Sequence, residues 1–500
     1  MRERIEFQGA LYFAIMNYAI ACGHKITAQA AEDVLQLGGN AVDAAIAAFA
    51  TSWIAEPCMS GPGGGAFATI RIDNKVFTLD CFANTPSVKK PKEEVQYIPV
   101  NVDFGDTTEL FYSGFGSIAV PGAIDGIFKL HEIGGTLPIK DLLYPAIQNA
   151  KAGVTLNDFQ HYDLHLLRDI IGHSSRGKGI FFGEDELVPI GTNIAMPYLA
   201  DFLEFLSFEG RDAFYQGEIA SNIAKISEEN GGHISLNDLK NYKAQLSNAL
   251  NQKFHQKEIF TIGSPSIGGS MLVRLLQIFG KEMKYCTDRL VLALEKFENL
   301  KKSGVFDKSI VDLGGLKKGG TSHISIVDQN KNAISLSMSL GEGSGCFVPG
   351  TDIHLNNMLG EESLLPNGIH SWRENARMSS MMTPTILLDN KEGQISALGS
   401  GGASRIPTMI GQVIYHSLIG LNNISDAISH PRVHFVNDVW QSEPGFQRPM
   451  HLSPDDWFEW QKPSLFFGGT HCAAAINKKY IAVGDSRRSG VGVLGQRYGF

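Results

Sequence analysis

The sequence has few cysteines, and none of them belongs to a recognisable pair. Six cysteines occur among 500 residues, and no two have the C-x-x-C spacing of a zinc or redox site. Scattered cysteines of this kind are typical of small buried side chains in a reducing compartment. We therefore predict no disulfide framework, no metal and no cofactor. The cysteines are Cys22, Cys58, Cys81, Cys286, Cys346 and Cys472.

Long basic runs and long apolar runs are also missing. A net charge of −9 without a basic cluster argues against binding to nucleic acid or to anionic membranes. No stretch reaches the roughly 18–20 apolar residues of a membrane helix. Residues 9–16 and Ala19-Ile20-Ala21 resemble a signal peptide, but the residues before them carry two acids against two bases. We prefer a buried strand over 17–22, which implies a cytoplasmic protein.

No long linker and no internal repeat divides the chain, and 43% of its residues are apolar. A chain of this length can bury a large core without covalent crosslinks. Hydrophobic patterns predict helices, and several hairpins follow Thr321, so we expect a layered α/β protein. The charged segment 280–318 is expected to be exposed and loosely held. The predicted helices cover 27–36, 41–55, 122–132, 140–152 and 217–229.

Gly319-Gly320-Thr321 is the first segment whose residues suit nucleophilic catalysis. A threonine at the head of a strand is usually structural, since β-branched residues favour strands. Here a flexible glycine pair precedes the threonine, and His323 follows two residues later. If the bond after Gly320 breaks, Thr321 gains a free α-amine with a pKa of roughly 7.7–8.0. A hydroxyl and its own base then share one residue, which is one established form of nucleophilic catalysis.

Two glycine-rich segments have contrasting interpretations. In GSGGAS, residues 399–404, successive backbone N–H groups ahead of a helix can form an oxyanion hole, although such turns often only cap a helix. SGPGGGAF, residues 60–67, loosely matches a dinucleotide fingerprint, but it follows a helix and precedes a strand, so we reject nucleotide binding. Close backbone packing explains its glycines better.

Taken together, these segments resemble the γ-glutamyltranspeptidase family of N-terminal-nucleophile hydrolases, in the family's order and over nearly the whole chain from about Ile20. The resemblance implies a four-layer αββα sandwich and a precursor that splits into entwined heavy and light pieces. These would be residues 1–320 and 321–500, and a homodimer of the two pieces is an open alternative to a single pair. The matching stretches include VLQLGGNAVDAAIAA, EPCMSGPGGGAF, GTLPIKDLLYPAI, TSHISIVD, HLNNMLGEE, MSSMMTPTI, GSGGASRI and DSRRSGVG.

The resemblance also implies roles for individual residues. Thr321 would be the nucleophile, first in cleavage after Gly320 and then in turnover of a small-molecule amide. Gly402 and Ala403 would supply the oxyanion N–H groups. Ser339 falls on the family threonine that positions the nucleophile.

The substrate-binding positions depart from the family pattern. The family's arginine for the donor's α-carboxylate is replaced by Phe82, while the two serines that share this job remain as Ser379 and Ser380. On the amine side, a family asparagine falls on Gly341 and a glutamine near Met358. The acidic partner would map to Glu361. Arg71 and Arg377 are considered as replacements for the missing charge.

Three functions are weighed on these grounds. The leading hypothesis is a γ-glutamyltransferase-like hydrolase, which cleaves or transfers the γ-glutamyl group of glutathione-like donors through an acyl-Thr321 ester. The second is an acylase for a glutaryl-type or more apolar group, motivated by Phe82. The third is an unprocessed relative that binds a ligand without catalysis.

Overall fold

The computed structural model describes residues 15–103, 108–280, 285–303, 320–365, 367–420, 423–436 and 438–498. Its helices lie mainly between residues 123 and 302, with two near the start of the chain and two near its end. The helices span Lys25–Gln36, Ala41–Ala55, Ala123–Gly134, Ile139–Ala152, Asp158–Leu166, Arg168–Ile171, Ser175–Phe181, Pro197–Glu209, Asp212–Tyr215, Glu218–Glu229, Leu236–Asn241, Gly268–Phe279, Thr287–Lys302, Ile406–Tyr415 and Ile424–Ser429.

Two large antiparallel sheets organise the fold. The seven-stranded sheet contains, in spatial order, Gln245–Asn248, Lys75–Cys81, Gly65–Ile72, Ala333–Ser339, Thr321–Val327, Ile15–Cys22 and Val491–Tyr498. The six-stranded sheet contains, in order, Leu250–Phe254, Lys257–Thr261, Thr385–Asp389, Gln394–Gly401, Gly469–Ile476 and Lys479–Val483. Both sheets combine strands that precede Thr321 with strands that follow it, so the two halves of the sequence are interleaved.

Helices cover the outer face of each sheet. Ala41–Ala55 and its neighbours form one core with the seven-stranded sheet, and Gly268–Phe279 with Ile406–Tyr415 forms another with the six-stranded sheet. A third apolar cluster joins the two sheets face to face, through side chains such as Val327 and Ala397. The layers therefore stack as helix, sheet, sheet, helix, which confirms the predicted αββα sandwich.

The predicted helices form with small shifts at their ends. Ala41–Ala55 begins at a capping box, in which the Asn40 side chain accepts from the N–H groups of Val42 and Asp43. Every residue of this helix is buried, as its small apolar sequence predicts. The strand expected over 17–22 also forms, as Ile15–Cys22, and pairs on both sides within the seven-stranded sheet. In the part of the chain that the structure describes, no helix has the length and apolarity to cross a bilayer.

One segment differs from its expectation. Residues 280–318 were predicted to be exposed and loosely held, but Thr287–Lys302 is a regular helix. Leu290, Leu294 and Phe297 on one face of it are buried. Its charged residues conceal this apolar stripe in the sequence. The remainder of the segment, apart from 285–286 and 303, lies mostly outside the described residues.

The Thr321 hairpin, formed by strands Thr321–Val327 and Ala333–Ser339, is central to the seven-stranded sheet. Its sequence alternates between apolar residues and a row of serines. Polar faces of antiparallel strands usually meet water. Here every residue of both strands is buried. Ser335 donates to the Leu398 carbonyl, 2.8 Å away, so the polar row joins the two sheets by hydrogen bonds.

Candidate active site

Thr321 begins its hairpin directly opposite Ser339. The Ser339 hydroxyl donates a 2.6 Å hydrogen bond to the carbonyl oxygen of Gly320 and accepts a 3.0 Å bond from the Gly341 N–H. This geometry withdraws electron density from the carbonyl that is bonded to the Thr321 nitrogen. The peptide bond before Thr321 is therefore held by the residue predicted to position the nucleophile.

Gly320 is fixed on its amide side as well. Its N–H donates to the Glu342 carboxyl group over 3.0 Å. A Cβ atom at this position would lie 2.6 Å from the Gly341 carbonyl oxygen and 3.1 Å from that of Cys58. Since both neighbours are backbone atoms, they cannot rotate away, and only glycine fits at position 320 without a shift of the chain.

The glycine turn after strand Gln394–Gly401 lies against the same residues. A Cβ atom at Gly401 would overlap the Thr321 carbonyl oxygen, so the turn approaches Thr321 closely. Gly402 has φ +125° and Ala403 has φ +49°, and the described residues offer no acceptor to either backbone N–H. The roles of these two N–H groups in an oxyanion hole stay a prediction. Ala403 accepts a left-handed conformation that costs a non-glycine residue roughly 1–2 kcal/mol.

Arg488 holds the backbone of Thr321 in place. Its Nη1 atom donates to the Thr321 carbonyl oxygen over 3.2 Å, and its side chain is buried. Burial lowers the pKa of Arg488, whereas Asp163 and Glu342 act in the opposite direction. The sequence offered only the DSRRSG motif as a signal, and it assigned this arginine no role.

A cavity of about 40 Å³ opens beside these groups. Most of the predicted site residues line it, whereas Gly402 and Ser379 are chain neighbours of lining residues. The Ser379 hydroxyl is buried and makes no hydrogen bond to any described residue. No lysine, arginine or histidine is among the described lining residues. The predicted residues at the cavity are Phe82, Gly320, Thr321, Ser339, Glu361, Ser380 and Ala403.

Phe82 occupies the position where the family arginine was expected. Its side chain is 1% exposed and stacks on Phe67, with ring centroids 5.1 Å apart. Neither proposed substitute reaches the cavity. Arg377 lies 3.5 Å from the Asp80 carboxylate and donates to the Tyr242 hydroxyl, and Arg71 binds the Lys331 carbonyl and the Asn74 side chain at the far end of its strand.

The amine side of the predicted pocket is compact. Gly341 has φ +67°, and a Cβ atom there would overlap both the Asn357 side chain and the Glu361 carboxylate. An asparagine, as in the family pattern, would not fit at this position. Met358 is fully buried in the apolar core. Glu361, the predicted acidic partner, lines the cavity.

A further buried acid contacts the strand that begins at Thr321. Glu56, from the EPCMSG motif, accepts hydrogen bonds from the hydroxyl groups of Ser322 and Thr27. Burial raises its pKa to about 7, against the opposing effect of these two hydrogen bonds. Glu342 is buried too, and burial together with nearby Glu361 raises its pKa well above the ordinary value. Sequence analysis assigned no role to either acid.

His323 has a structural position rather than a reactive one. Its Nδ1 and Nε2 atoms are bonded to the hydroxyl groups of Ser337 and Ser325, at 2.8 Å and 2.9 Å. Burial lowers its pKa well below the usual value, so the ring is neutral. His323 therefore joins the two strands of the Thr321 hairpin within the seven-stranded sheet, and it is not among the residues that line the cavity.

A threonine at the head of an internal strand, facing a glycine turn within an αββα sandwich, defines the N-terminal-nucleophile hydrolase class of folds. A solved structure, the cephalosporin acylase from Bacillus halodurans, has the same fold. It superposes with a TM-score of 0.81 at 21% identity, covering 99% of both chains.

A family model described as Gamma-glutamyltranspeptidase matches residues 27–297 and 298–494. The "Glutathione hydrolase proenzyme" of Escherichia coli (strain K12) is 28% identical over 477 residues, which cover 84% of this chain and 81% of the relative. The "Acylase ACY 1 proenzyme" of Pseudomonas sp. (strain SE83) is 26% identical over 474 residues, with 85% and 83% covered. This chain belongs to the gamma-glutamyltranspeptidase family.

Proposed function

We propose that the protein is a self-processing amidase of the γ-glutamyltransferase type, with Thr321 as its nucleophile. The observation that carries the proposal is the hydrogen bond from Ser339 to the Gly320 carbonyl, opposite Thr321. Two relatives whose names include "proenzyme" support a processed state. The products of processing would be residues 1–320 and 321–500, which remain together because both pieces contribute strands to each of the two large sheets.

Self-cleavage begins when the Thr321 hydroxyl oxygen attacks the Gly320 carbonyl carbon. The Ser339 hydroxyl stabilises the negative charge that develops on the carbonyl oxygen. The bond between the Gly320 carbon and the Thr321 nitrogen breaks, the nitrogen takes a proton, and an ester remains. Water hydrolyses this ester, which leaves a carboxylate on Gly320 and a free amine and hydroxyl on Thr321.

Turnover repeats this chemistry on a donor amide. The free α-amine of Thr321 takes the hydroxyl proton while the oxygen attacks the donor's acyl carbon. The N–H groups of Gly402 and Ala403 bind the oxyanion, since the described residues leave both without another acceptor. The leaving amine departs with the proton, and the acyl ester passes to water or to a second amine. Glutathione-like γ-glutamyl amides are donors that fit this chemistry.

The test compares amide turnover by the wild-type protein with that by Thr321→Ala and Thr321→Ser. We expect Thr321→Ala to release amine no faster than the reaction without enzyme. Thr321→Ser should retain activity, because serine keeps the hydroxyl group on Cβ. Mass spectrometry of the 321–500 piece, quenched during turnover, should reveal the acyl group. Equal turnover by Thr321→Ala would contradict the proposal.

An acylase with a different acyl group is the second candidate. The stacking of Phe82 on Phe67 favours it, because an aromatic wall replaces the arginine that would bind an α-carboxylate. The nucleophile and its mechanism would be the same, so only the donor distinguishes the two functions. A non-catalytic binding role would require that the bond before Thr321 stays intact in the purified protein.

A further inference from the structure

The charged groups at the cavity are unevenly distributed. Glu361 lines one side, and the described residues contribute no basic side chain to any side. Arg405 precedes the lining residue Ile406, but its Nε atom donates to the Phe466 carbonyl and its guanidinium lies over the Phe466 ring, 4.5 Å from the centroid. Arg488 is held behind the Thr321 carbonyl. The cavity wall is therefore acidic and apolar.

The side of the cavity formed by Phe82 disfavours a donor that carries a carboxylate. Phe82 presents an aromatic ring that is itself packed on Phe67, and the nearby Asp80 carboxylate would repel a second carboxylate. Arg377, which is close enough to pair with Asp80, is also bonded to the Tyr242 hydroxyl and the Lys243 carbonyl. A carboxylate at this side would lose its hydration without gaining a cationic partner.

The opposite side gathers carboxyl groups. Gly341 brings Glu361 close to the backbone, because a side chain at position 341 would overlap the Glu361 carboxylate. Glu342 is the next residue, and its carboxyl group holds the Gly320 N–H. Burial and nearby Glu361 raise the pKa of Glu342, and Glu342 is not among the residues that line the cavity. Glu361 therefore supplies the negative charge on this side.

We infer that the acyl pocket of the processed protein selects a donor that carries an ammonium group and no carboxylate. The acyl group of this class nearest to γ-glutamyl is 4-aminobutanoyl, in which a hydrogen atom replaces the α-carboxylate. Its ammonium would lie against Glu361, and its methylene chain would pass Phe82. The inference rests on the proposed function, since it concerns the donor of the same Thr321 reaction.

Four anilide donors test the contributions of the ammonium and the carboxylate to turnover separately. The γ-glutamyl anilide carries both charges, the 4-aminobutanoyl anilide only the ammonium, the glutaryl anilide only the carboxylate, and the butanoyl anilide neither. Each is assayed with processed protein, and the rate with Thr321→Ala is subtracted as a blank. We expect the highest kcat/KM for 4-aminobutanoyl, by about ten- to a hundredfold over butanoyl, because a hydrogen bond between charged groups contributes about 1.5–3 kcal/mol.

One variant locates the ammonium site. In Glu361→Gln the ratio of 4-aminobutanoyl to butanoyl turnover should fall towards one, since an amide keeps the shape and loses the charge. Glu362→Gln is the matched control, because Glu362 is an exposed neighbour of Glu361 outside the cavity lining, and we expect both donors to react as with wild type.

The outcomes separate the donor class from the chemistry. The inference is overturned if the processed protein prefers the γ-glutamyl or the glutaryl donor, or if it turns over the 4-aminobutanoyl donor no faster than the butanoyl donor. Either result leaves the proposed function in place. A protein that stays uncleaved and turns over none of the four overturns the proposed function, and the inference is lost with it. Preference for 4-aminobutanoyl that depends on Glu361 supports both.

Discussion

Ser339 and Gly320 are joined by a 2.6 Å hydrogen bond from the serine hydroxyl to the glycine carbonyl, on the strand opposite Thr321. The bond places a proton donor on the oxygen that would gain charge if Thr321 attacked this carbonyl. A strand pair usually leaves such a hydroxyl to its own backbone or to solvent. Here the Ser339 hydroxyl binds the carbonyl of the peptide bond whose cleavage would release the Thr321 amine.

Removing this hydroxyl should slow self-cleavage. We expect Ser339→Ala to process about 10²–10³ times more slowly than wild type, which is the typical cost of losing one oxyanion donor. Ser339→Thr should process at close to the wild-type rate because it keeps the hydroxyl. The measurement is the fraction of cleaved chain over time after synthesis. Ser337→Ala changes the same strand at a hydroxyl that binds His323 instead, and unimpaired cleavage there would exclude a general strand effect.

Ala403 should tolerate glycine with a gain in stability. Its φ of +49° costs an alanine roughly 1–2 kcal/mol, and a glycine would recover this while adding about 0.4–1 kcal/mol of unfolded-state entropy. We expect Ala403→Gly to raise the free energy of unfolding by about 0.5–1 kcal/mol and to keep amide turnover, since the backbone N–H remains. Thermal unfolding and kcat provide the check. A clear loss of stability would mean that the left-handed conformation is not strained.

An arginine at position 82 should restore carboxylate binding. Phe82→Arg would place a guanidinium near Asp80, whose Oδ2 atom has no hydrogen-bond partner among the described residues. We expect kcat/KM for a γ-glutamyl donor to rise about tenfold or more relative to a donor without the carboxylate, as one charged hydrogen bond allows. Phe82→Leu is the control for lost aromatic packing. An equal change for both donors would argue against a charge effect.

Glu56 should make stability depend on pH. Burial raises its pKa from 4.5 to about 7, so between these values the native state holds a proton that the unfolded state has released. Stability therefore falls as pH rises through this window. At about 1.4 kcal/mol for each pKa unit, the fall approaches 3 kcal/mol.

Glu56→Gln isolates this contribution, because a glutamine cannot ionise. Relative to wild type, the variant should become more stable by about 2–3 kcal/mol between pH 5 and pH 8, as the linkage relation requires. Burial raises the pKa of Asp163 to about 7 as well, with a smaller contribution from the Glu56 charge, so the loss of this coupling is included in the difference between the proteins. Denaturant unfolding at the two pH values measures it. A stability difference that does not change with pH would contradict the assignment.

The parts of the fold that local chemistry determines could be predicted from the sequence. The capping box at Asn40 and Asp43 is encoded within four residues, and the hairpin turn at Asp73-Asn74 uses two residues that adopt positive φ. The glycines of SGPGGGAF were expected to allow close backbone packing, and Gly65 does lie against the Phe82 backbone. Each of these features depends on neighbours in the sequence.

The groups around the reacting bond could not be predicted in the same way. Glu342 and Arg488 are separated by 146 positions in the chain, yet both contact the Gly320–Thr321 segment. Their roles depend on which strands become adjacent and on burial, which determines their charge state. The helix Thr287–Lys302 was missed for a related reason, since its charged residues mask the apolar face that packs on helix Gly268–Phe279 and strand Val433–Val436.

The most direct test of the account is the intact mass of freshly purified protein under denaturing conditions, beside Thr321→Ala. The account predicts two pieces in the wild type, residues 1–320 and 321–500, and one intact chain in the variant. It also predicts that the smaller piece begins with an unblocked threonine, which N-terminal sequencing would read. A single uncleaved chain in both proteins would contradict the claim that Thr321 is a self-released nucleophile.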